Sequence, residues 1–178
     1  MNSPDVVIKK CNDYINEEVY RAIKESVDLF GGIGAFVKKG ERILLKPNLL
    51  SAKPTDAAVT THPAVVRAVI QLVKEAGAVP VVGDSPGIGS AEKVAQKCGI
   101  AAVAKEFGVE IINLAQSISV ENPDGKTFKR LELSKEAIEV DGIINLPKLK
   151  THAQMFLTLG VKNMFGCVVG ARKPQWHM

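Results

Sequence analysis

The chain alternates short runs of apolar, often β-branched residues with longer segments whose apolar residues recur at helical spacing. The runs at 6–8, 43–45, 79–82, 109–112 and 142–146 predict buried strands. Strands that alternate with helices over short connections are typical of a parallel sheet covered by helices on both faces. We therefore expect an α/β fold with a mostly parallel sheet, formed by a single domain over residues 1–178.

The helical segments carry recognisable start and stop residues. Apolar residues at every third or fourth position over 15–30 predict an amphipathic first helix. A second helix begins at Pro63, since proline favours the first helical position, and ends at Gly77. The pattern over 91–107 predicts a helix that is interrupted near Gly99.

Two further segments vary this plan. The turn sequence at 122–125 is followed by alternating polar and apolar residues over 127–133, which predicts an antiparallel or edge strand. A last helix is expected after His152. The polar loop at 48–61 is long, and loops longer than about 12 residues within compact domains are usually functional or disordered.

Composition narrows the class of protein. Hydrophobic residues make up 46% of the chain and charged residues 24%, which are globular values. No apolar run approaches the ~20 residues that a membrane span needs, and no secretory signal is visible, so we expect a cytoplasmic protein without a membrane partner. The net charge of +4 is spread among acidic residues and aromatics are only 5%, which argues against a nucleic-acid partner.

The cysteines do not form a metal-binding pattern. Cys11, Cys98 and Cys167 lie far apart and lack zinc or iron–sulfur spacing. We expect three reduced thiols, no metal ligands and no iron–sulfur cluster held by this chain alone.

Charged and polar residues follow several of the predicted strands. They are Lys46 and Asn48 after the second strand, Asp84 and Ser85 after the third, and Lys148, Lys150, Thr151 and His152 after the strand at 142–146. Parallel sheets bind ligands outside the carboxyl ends of their strands. Lysines at these ends, near helix N-termini that themselves favour anions, predict an anionic small molecule bearing phosphate or carboxylate.

Each of these residues receives a predicted role. Lys46, Lys148, Lys150 and Lys162 would hold the anion, with Asn48, Ser85, Thr151 and Asn163 as further binding residues. His152 or Asp84 would move protons, and His152 is the better candidate because histidine titrates near neutral pH.

A purely structural interpretation stays open for several of them. Lys46 could lie along a strand end with its ammonium group in water, and Asp84 could cap a helix or form a turn. His62, before Pro63, either caps the helix or joins the site. The segment 83–89 lacks the GxGxxG order, and no Walker A motif is present, so neither nucleotide fingerprint applies.

Six motifs together resemble the family called domain of unknown function 362, in that family's order. They are ILLKPN (43–48), THP (61–63), EAGA (75–78), GDSPG (83–87), LPKLKTH (146–152) and GVKNMFG (160–166). The resemblance implies a bacterial or archaeal protein, frequent in anaerobes, whose relatives often carry a ferredoxin-like iron–sulfur module after this domain. This sequence has no such module, so it either is truncated at its C-terminal end or is a short product.

Two hypotheses about function follow. The first is the substrate domain of an iron–sulfur-associated enzyme that acts on an anionic metabolite. The second is a non-catalytic binding or electron-transfer scaffold that docks a ferredoxin-like domain or protein. The resemblance implies no particular reaction.

Overall fold

The computed structural model describes residues 6–87, 89–152 and 156–169. The helices are α1 (Asn16–Asp28), α2 (Pro63–Glu75), α3 (Ala91–Lys97), α4 (Ile100–Phe107), α5 (Lys135–Ile138) and α6 (Gly160–Met164). The strands are β1 (Arg42–Pro47), β2 (Val79–Asp84), β3 (Ile111–Asn113), β4 (Ser117–Glu121), β5 (Arg130–Ser134), β6 (Gly142–Leu146), β7 (Lys150–His152) and β8 (Phe156–Thr158).

The main sheet is parallel, as predicted. Its four strands run in the order β3-β2-β1-β6, and every neighbouring pair is parallel. The antiparallel strand predicted near 127–133 is β5, but it pairs with β4 in a separate two-stranded sheet instead of forming an edge of the main one. A second small antiparallel sheet is the hairpin of β7 and β8.

Both faces of the main sheet are covered, but unequally. Ile43 and Leu45 of β1 face the larger core, which α2, α3 and α4 complete. Leu44 faces the opposite way into a smaller core with Ala137 of α5 and Cys167. Because β1 is buried on both sides, its apolar residues run consecutively along the strand instead of alternating with polar ones.

The path of the chain places a reversal point in the strand order beside β1. From β1 the chain passes to β2 and then β3 by helices on the large-core face. It returns past α5, on the other face, to β6 on the far side of β1. The direction of strand addition therefore reverses between β1 and β6, and such reversal points open a crevice at the carboxyl ends of the strands.

Local signals explain the helix boundaries. His62 caps α2 by accepting a hydrogen bond from the Ala64 amide at 3.1 Å, and Pro63 takes the first helical position. Gly99 separates α3 from α4 with a φ of +83°, a backbone conformation that favours glycine. The predicted helices over 15–30, 63–77 and 91–107 are confirmed.

Three details of the sequence prediction were wrong. Residues 6–8 are not a strand: Val6 is 79% and Ile8 93% exposed, because a β-branched run needs a neighbouring strand and none of the described strands pairs with it. No helix follows His152 directly: Lys150–His152 is strand β7, Phe156–Thr158 is strand β8, and the next helix begins at Gly160; residues 153–155 lie outside the described part. Strand β4 was missed, although Ile118 and Val120 alternate with polar residues.

Candidate functional site

A buried ion pair lies at the carboxyl ends of β1 and β2. The Lys46 Nζ atom is 2.8 Å from Asp84 Oδ1, and the two side chains are 0% and 5% exposed. The carboxyl ends of β1 and β2 lie side by side because the two strands are parallel neighbours and Leu45 is paired with Val82. The pair is therefore a consequence of the sheet, which brings together residues 38 positions apart in sequence.

Asp84 also fixes the backbone on either side of it. Its Oδ2 accepts a hydrogen bond from the Leu49 amide at 2.8 Å, and its Oδ1 accepts one from the Ser85 amide at 2.9 Å. Both carboxylate oxygens are thus engaged. The long loop that follows β1 is anchored at its start by this carboxylate.

Gly166, in the 3-10 turn Phe165–Cys167, closes over the ion pair. A Cβ atom on this residue would overlap Asp84 Oδ1 and would lie 2.5 Å from Lys46 Nζ. Only a residue without a side chain can bring the backbone this close, so glycine here is a packing requirement.

Asparagine side chains form a network beside the ion pair. The Asn163 side chain is buried; its Nδ2 donates to the Lys46 carbonyl at 3.1 Å and to Asn145 Oδ1 at 2.7 Å. Its Oδ1 accepts a hydrogen bond from Asn48 Nδ2 at 2.9 Å. Asn145 Nδ2 in turn donates to the Gly160 carbonyl at 2.8 Å. These bonds tie α6 to β1 and β6.

Lys150 extends this network towards the surface. Its Nζ donates to Asn48 Oδ1 and to the Val59 carbonyl, both at 2.6 Å. Burial lowers the pKa of Lys150 from 10.5 to about 8. The Asp84 carboxylate opposes this change in pKa, whereas the positive charges of Lys148 and Lys162 add to it.

Lys148 and Lys162 contact aromatic rings. The Lys162 Nζ lies 4.5 Å from the centre of the Phe165 ring, and burial lowers the pKa of this lysine. The Lys148 Nζ lies 5.8 Å from the centre of the Tyr14 ring. Tyr14 stacks on His62 with ring centres 3.7 Å apart. Burial lowers the pKa of His62, and the Lys148 charge lowers it further.

Lys148, Lys150 and Lys162 are called the lysine cluster from here on. The charges of Lys148 and Lys162 both act on Lys150 and lower its pKa. Within residues 6–87, 89–152 and 156–169, none of the three forms a salt bridge with a carboxylate. The cluster is thus a concentration of positive charge at the strand ends.

The residues predicted for the site fall into two groups. Lys46, Asn48, Asp84, Lys150 and Asn163 are joined directly or through one another by hydrogen bonds, and Lys148 and Lys162 lie near enough to act electrostatically on Lys150. Ser85 joins through its backbone amide. His152 is half-buried and shares one side of β7 with Lys150, whereas Thr151 is exposed on the other side. The roles predicted for all ten residues stay predictions.

Sequence reasoning missed several residues of the site. Asn145 was a polar residue inside an apolar strand, which is a usable signal. Thr61 accepts from the Asn48 amide at 2.9 Å and donates to the Leu146 carbonyl at 2.6 Å, a link that nothing in its local sequence indicated. Nothing in the local sequence indicated Thr158 either. Its Oγ1 atom is buried and has no hydrogen-bond partner in the described part of the chain.

These features define an α/β domain whose parallel strand ends hold a buried lysine–aspartate pair next to a cluster of lysines. The chain belongs to the family described as domain of unknown function, DUF362, whose profile matches residues 43–178. The matched region contains the ion pair, the asparagine network and the lysine cluster. The family prediction is therefore confirmed.

The chain is similar to a protein of Synechocystis sp. that is named thylakoid-associated protein sll1697. The two are 43% identical over 173 residues, which are 97% of this chain and 53% of that protein. The chain thus spans about half the length of this relative. No solved structure matches the chain significantly.

Two further observations concern membranes and metals. Among the helices that the structure describes, none is both long and apolar enough to cross a bilayer. Among all residues in 6–87, 89–152 and 156–169, no three His, Cys, Asp or Glu side chains group closely enough to hold a metal ion.

Proposed function

We propose that the lysine cluster binds an anionic small molecule that bears a phosphate or a carboxylate. One observation carries this proposal: Lys148 and Lys162 act electrostatically on Lys150, yet none of the three forms a salt bridge with a carboxylate in the described part of the chain. Partly buried cations in proteins are normally paired, because an unpaired charge out of water is costly. A bound anion would supply the missing partner.

The surrounding contacts support two different roles within this site: some residues hold the site in place and others would bind the anion. The Lys46 charge is already balanced by Asp84, so the ion pair supports the site without presenting a free charge. Asn163 orients Asn48, and Asn48 holds the Lys150 amine. The buried pair and the asparagine network would thus fix the position of the most buried cation of the cluster.

Proton transfer at this site is a further part of the proposal. His152 lies on the same side of β7 as Lys150, so it is the residue we propose to move protons if the bound molecule reacts. Asp84 was the other candidate. Its two oxygens accept from Leu49, Ser85 and Lys46, and this favours a structural task for it.

Calorimetric titration with inorganic phosphate, and separately with pyruvate, tests anion binding. Lys150→Gln and Lys162→Gln should each weaken binding about ten- to a hundredfold, since a charge-assisted hydrogen bond contributes roughly 1.5–3 kcal/mol. Lys9→Gln is the matched control, because Lys9 pairs with Glu25 on α1 outside the cluster. Equal affinities for the wild type and both cluster variants would refute the proposal.

A second candidate is a scaffold that docks an acidic ferredoxin-like domain or protein. Large apolar side chains flank the lysine cluster and are exposed, among them Leu149, Phe156 and Val161. Exposed apolar groups next to cations are typical of protein-binding surfaces. If a reduced ferredoxin binds the domain and neither small anion does, the scaffold hypothesis replaces the anion-binding hypothesis.

We also propose that the protein is cytoplasmic and that the domain is part of an iron–sulfur-associated enzyme.

A further inference from the structure

We propose that the amine of Lys150 attacks the carbonyl carbon of a small 2-oxo acid and forms an imine with it. The inference rests on the proposed anion site, because Lys148 and Lys162 would hold the carboxylate of the oxo acid. It goes further in making Lys150 a nucleophile instead of one more cation.

The hydrogen bonds of Lys150 suit a neutral amine. A deprotonated lysine has two N–H donors and one lone pair. Both donors are satisfied, by Asn48 Oδ1 and the Val59 carbonyl at 2.6 Å each. A protonated lysine has a third N–H, and no third acceptor is found for it in the part of the chain that the structure describes. Deprotonation of Lys150 thus loses no hydrogen bond and leaves the nitrogen lone pair available to react.

Burial and the two neighbouring lysines act in the same direction, against the opposing Asp84 carboxylate. Half burial and two neighbouring lysines bring the pKa of Lys150 down to about 8, so roughly a tenth of the amine is unprotonated at pH 7. A lysine in an apolar setting beside other cations is one of the ways in which enzymes activate this nucleophile. The cations that disfavour the ammonium form are also those that would attract the carboxylate of the oxo acid.

An independent observation indicates a missing polar group beside the amine. Thr158 lies directly opposite Lys150 in the β7–β8 hairpin, and opposed residues of an antiparallel pair project from the same side, about 4.5–5.5 Å apart at Cβ. The Thr158 Oγ1 atom is buried and has no partner among the described residues. Buried hydroxyls normally have one, so this position would suit the oxygen of a bound carbonyl compound.

The reaction balances without an oxidant or a metal. The nitrogen lone pair forms a bond to the carbonyl carbon, and the C=O π electrons move to the oxygen, which takes up a proton. The nitrogen loses one proton to give the carbinolamine, and a second proton reaches the hydroxyl group, which leaves as water. The resulting iminium ion then loses its N–H proton and becomes the imine. The products are one imine and one water, and the carboxylate is unchanged. A donated hydrogen bond from Thr158 would stabilise the oxygen while negative charge builds on it.

Trapping with a mild hydride donor tests the inference. The protein is incubated with pyruvate and cyanoborohydride at pH 7, and modified peptides are identified by mass spectrometry. We expect one carboxyethyl group per chain, located on Lys150, with labelling at least tenfold faster than at Lys9. Lys150→Arg keeps the positive charge without an amine of comparable reactivity and should abolish this adduct. Circular dichroism checks that the variant is folded.

A neutral aldehyde separates this inference from the proposed anion site. Propanal carries no charge, so it should label Lys150 without help from Lys148 and Lys162. If pyruvate binds by calorimetry but Lys150 is labelled no faster than Lys9, the imine inference is wrong and the anion site stands. If pyruvate does not bind but propanal labels Lys150 selectively, the anion site is wrong and the nucleophilic amine is supported. If neither reagent labels Lys150 selectively, the inference is refuted.

Discussion

Removing either charge of the buried ion pair between Lys46 and Asp84 should destabilise the domain about as much as removing both charges together. Asp84→Asn keeps the size of the side chain and one oxygen acceptor, but it leaves the Lys46 ammonium buried at 0% exposure without a counter-charge. Removing one partner of a buried pair typically costs about 3–5 kcal/mol. Lys46→Met should cost a similar amount, because the Asp84 carboxylate is then unpaired.

The double variant distinguishes charge pairing from simple packing. With Lys46→Met and Asp84→Asn together, no buried charge is left, so the total cost should be close to that of one single variant. The coupling free energy would then be about 3 kcal/mol, a value found only for residues in direct contact. If the pair is instead water-exposed, the coupling should fall below about 1 kcal/mol.

Urea unfolding followed by circular dichroism measures these differences. All four proteins should show the same dependence of the unfolding free energy on urea, which indicates that the variants expose the same surface on unfolding. Single-variant costs below about 1 kcal/mol, or a double-variant cost equal to their sum, would refute the reasoning about burial.

Three other predictions concern the same region. Gly166→Ala should destabilise the domain by about 3 kcal/mol, the upper end for overpacking, whereas Gly34→Ala, where a Cβ meets nothing within 4 Å, should change urea unfolding little. Between pH 8 and 10, the unfolding free energy of the wild type should rise relative to that of Lys150→Met. The reason is that folding favours the neutral form of a lysine whose pKa is lowered from 10.5 to about 8. If the difference in unfolding free energy between the two proteins does not change with pH, that pKa is wrong. Thr158→Val should leave the melting temperature unchanged or raise it, since the Oγ1 atom that it removes lacks a partner in the described residues, yet it should weaken pyruvate binding in calorimetry. A clear loss of stability would mean that Oγ1 does have a partner.

The sequence predicted the sheet well because burial leaves a strong pattern. Runs such as Ile43 to Leu45 are apolar at consecutive positions, which is typical of strands that are buried on both faces. Residues 6–8 have the same local pattern and form no strand, because strand formation also requires a neighbour, which local sequence does not specify. The three-residue strands of the β7–β8 hairpin are too short for periodicity to detect.

The candidate site was predictable in position but not in its contacts. Placing Lys46 and Asp84 at the ends of parallel strands followed from topology alone. Their mutual pairing did not, because a lysine after an apolar strand can equally direct its ammonium into water. The exposed position of Thr151 and the engagement of Asn145 depend on side-chain direction and on partners far away in sequence.

The Asn163 side chain, which bonds to Lys46 and Asn48 across β1, bears on when the site forms during folding. These contacts join residues 117 and 115 positions apart, whereas Lys46 and Asp84 are only 38 apart. Closing longer loops costs more chain entropy, and non-local contacts slow folding. The ion pair can therefore form as soon as β1 and β2 associate, but the contacts of Asn163 with Lys46 and Asn48 form only after α6 docks. A chain can thus acquire its sheet well before the asparagine network of the candidate site is complete.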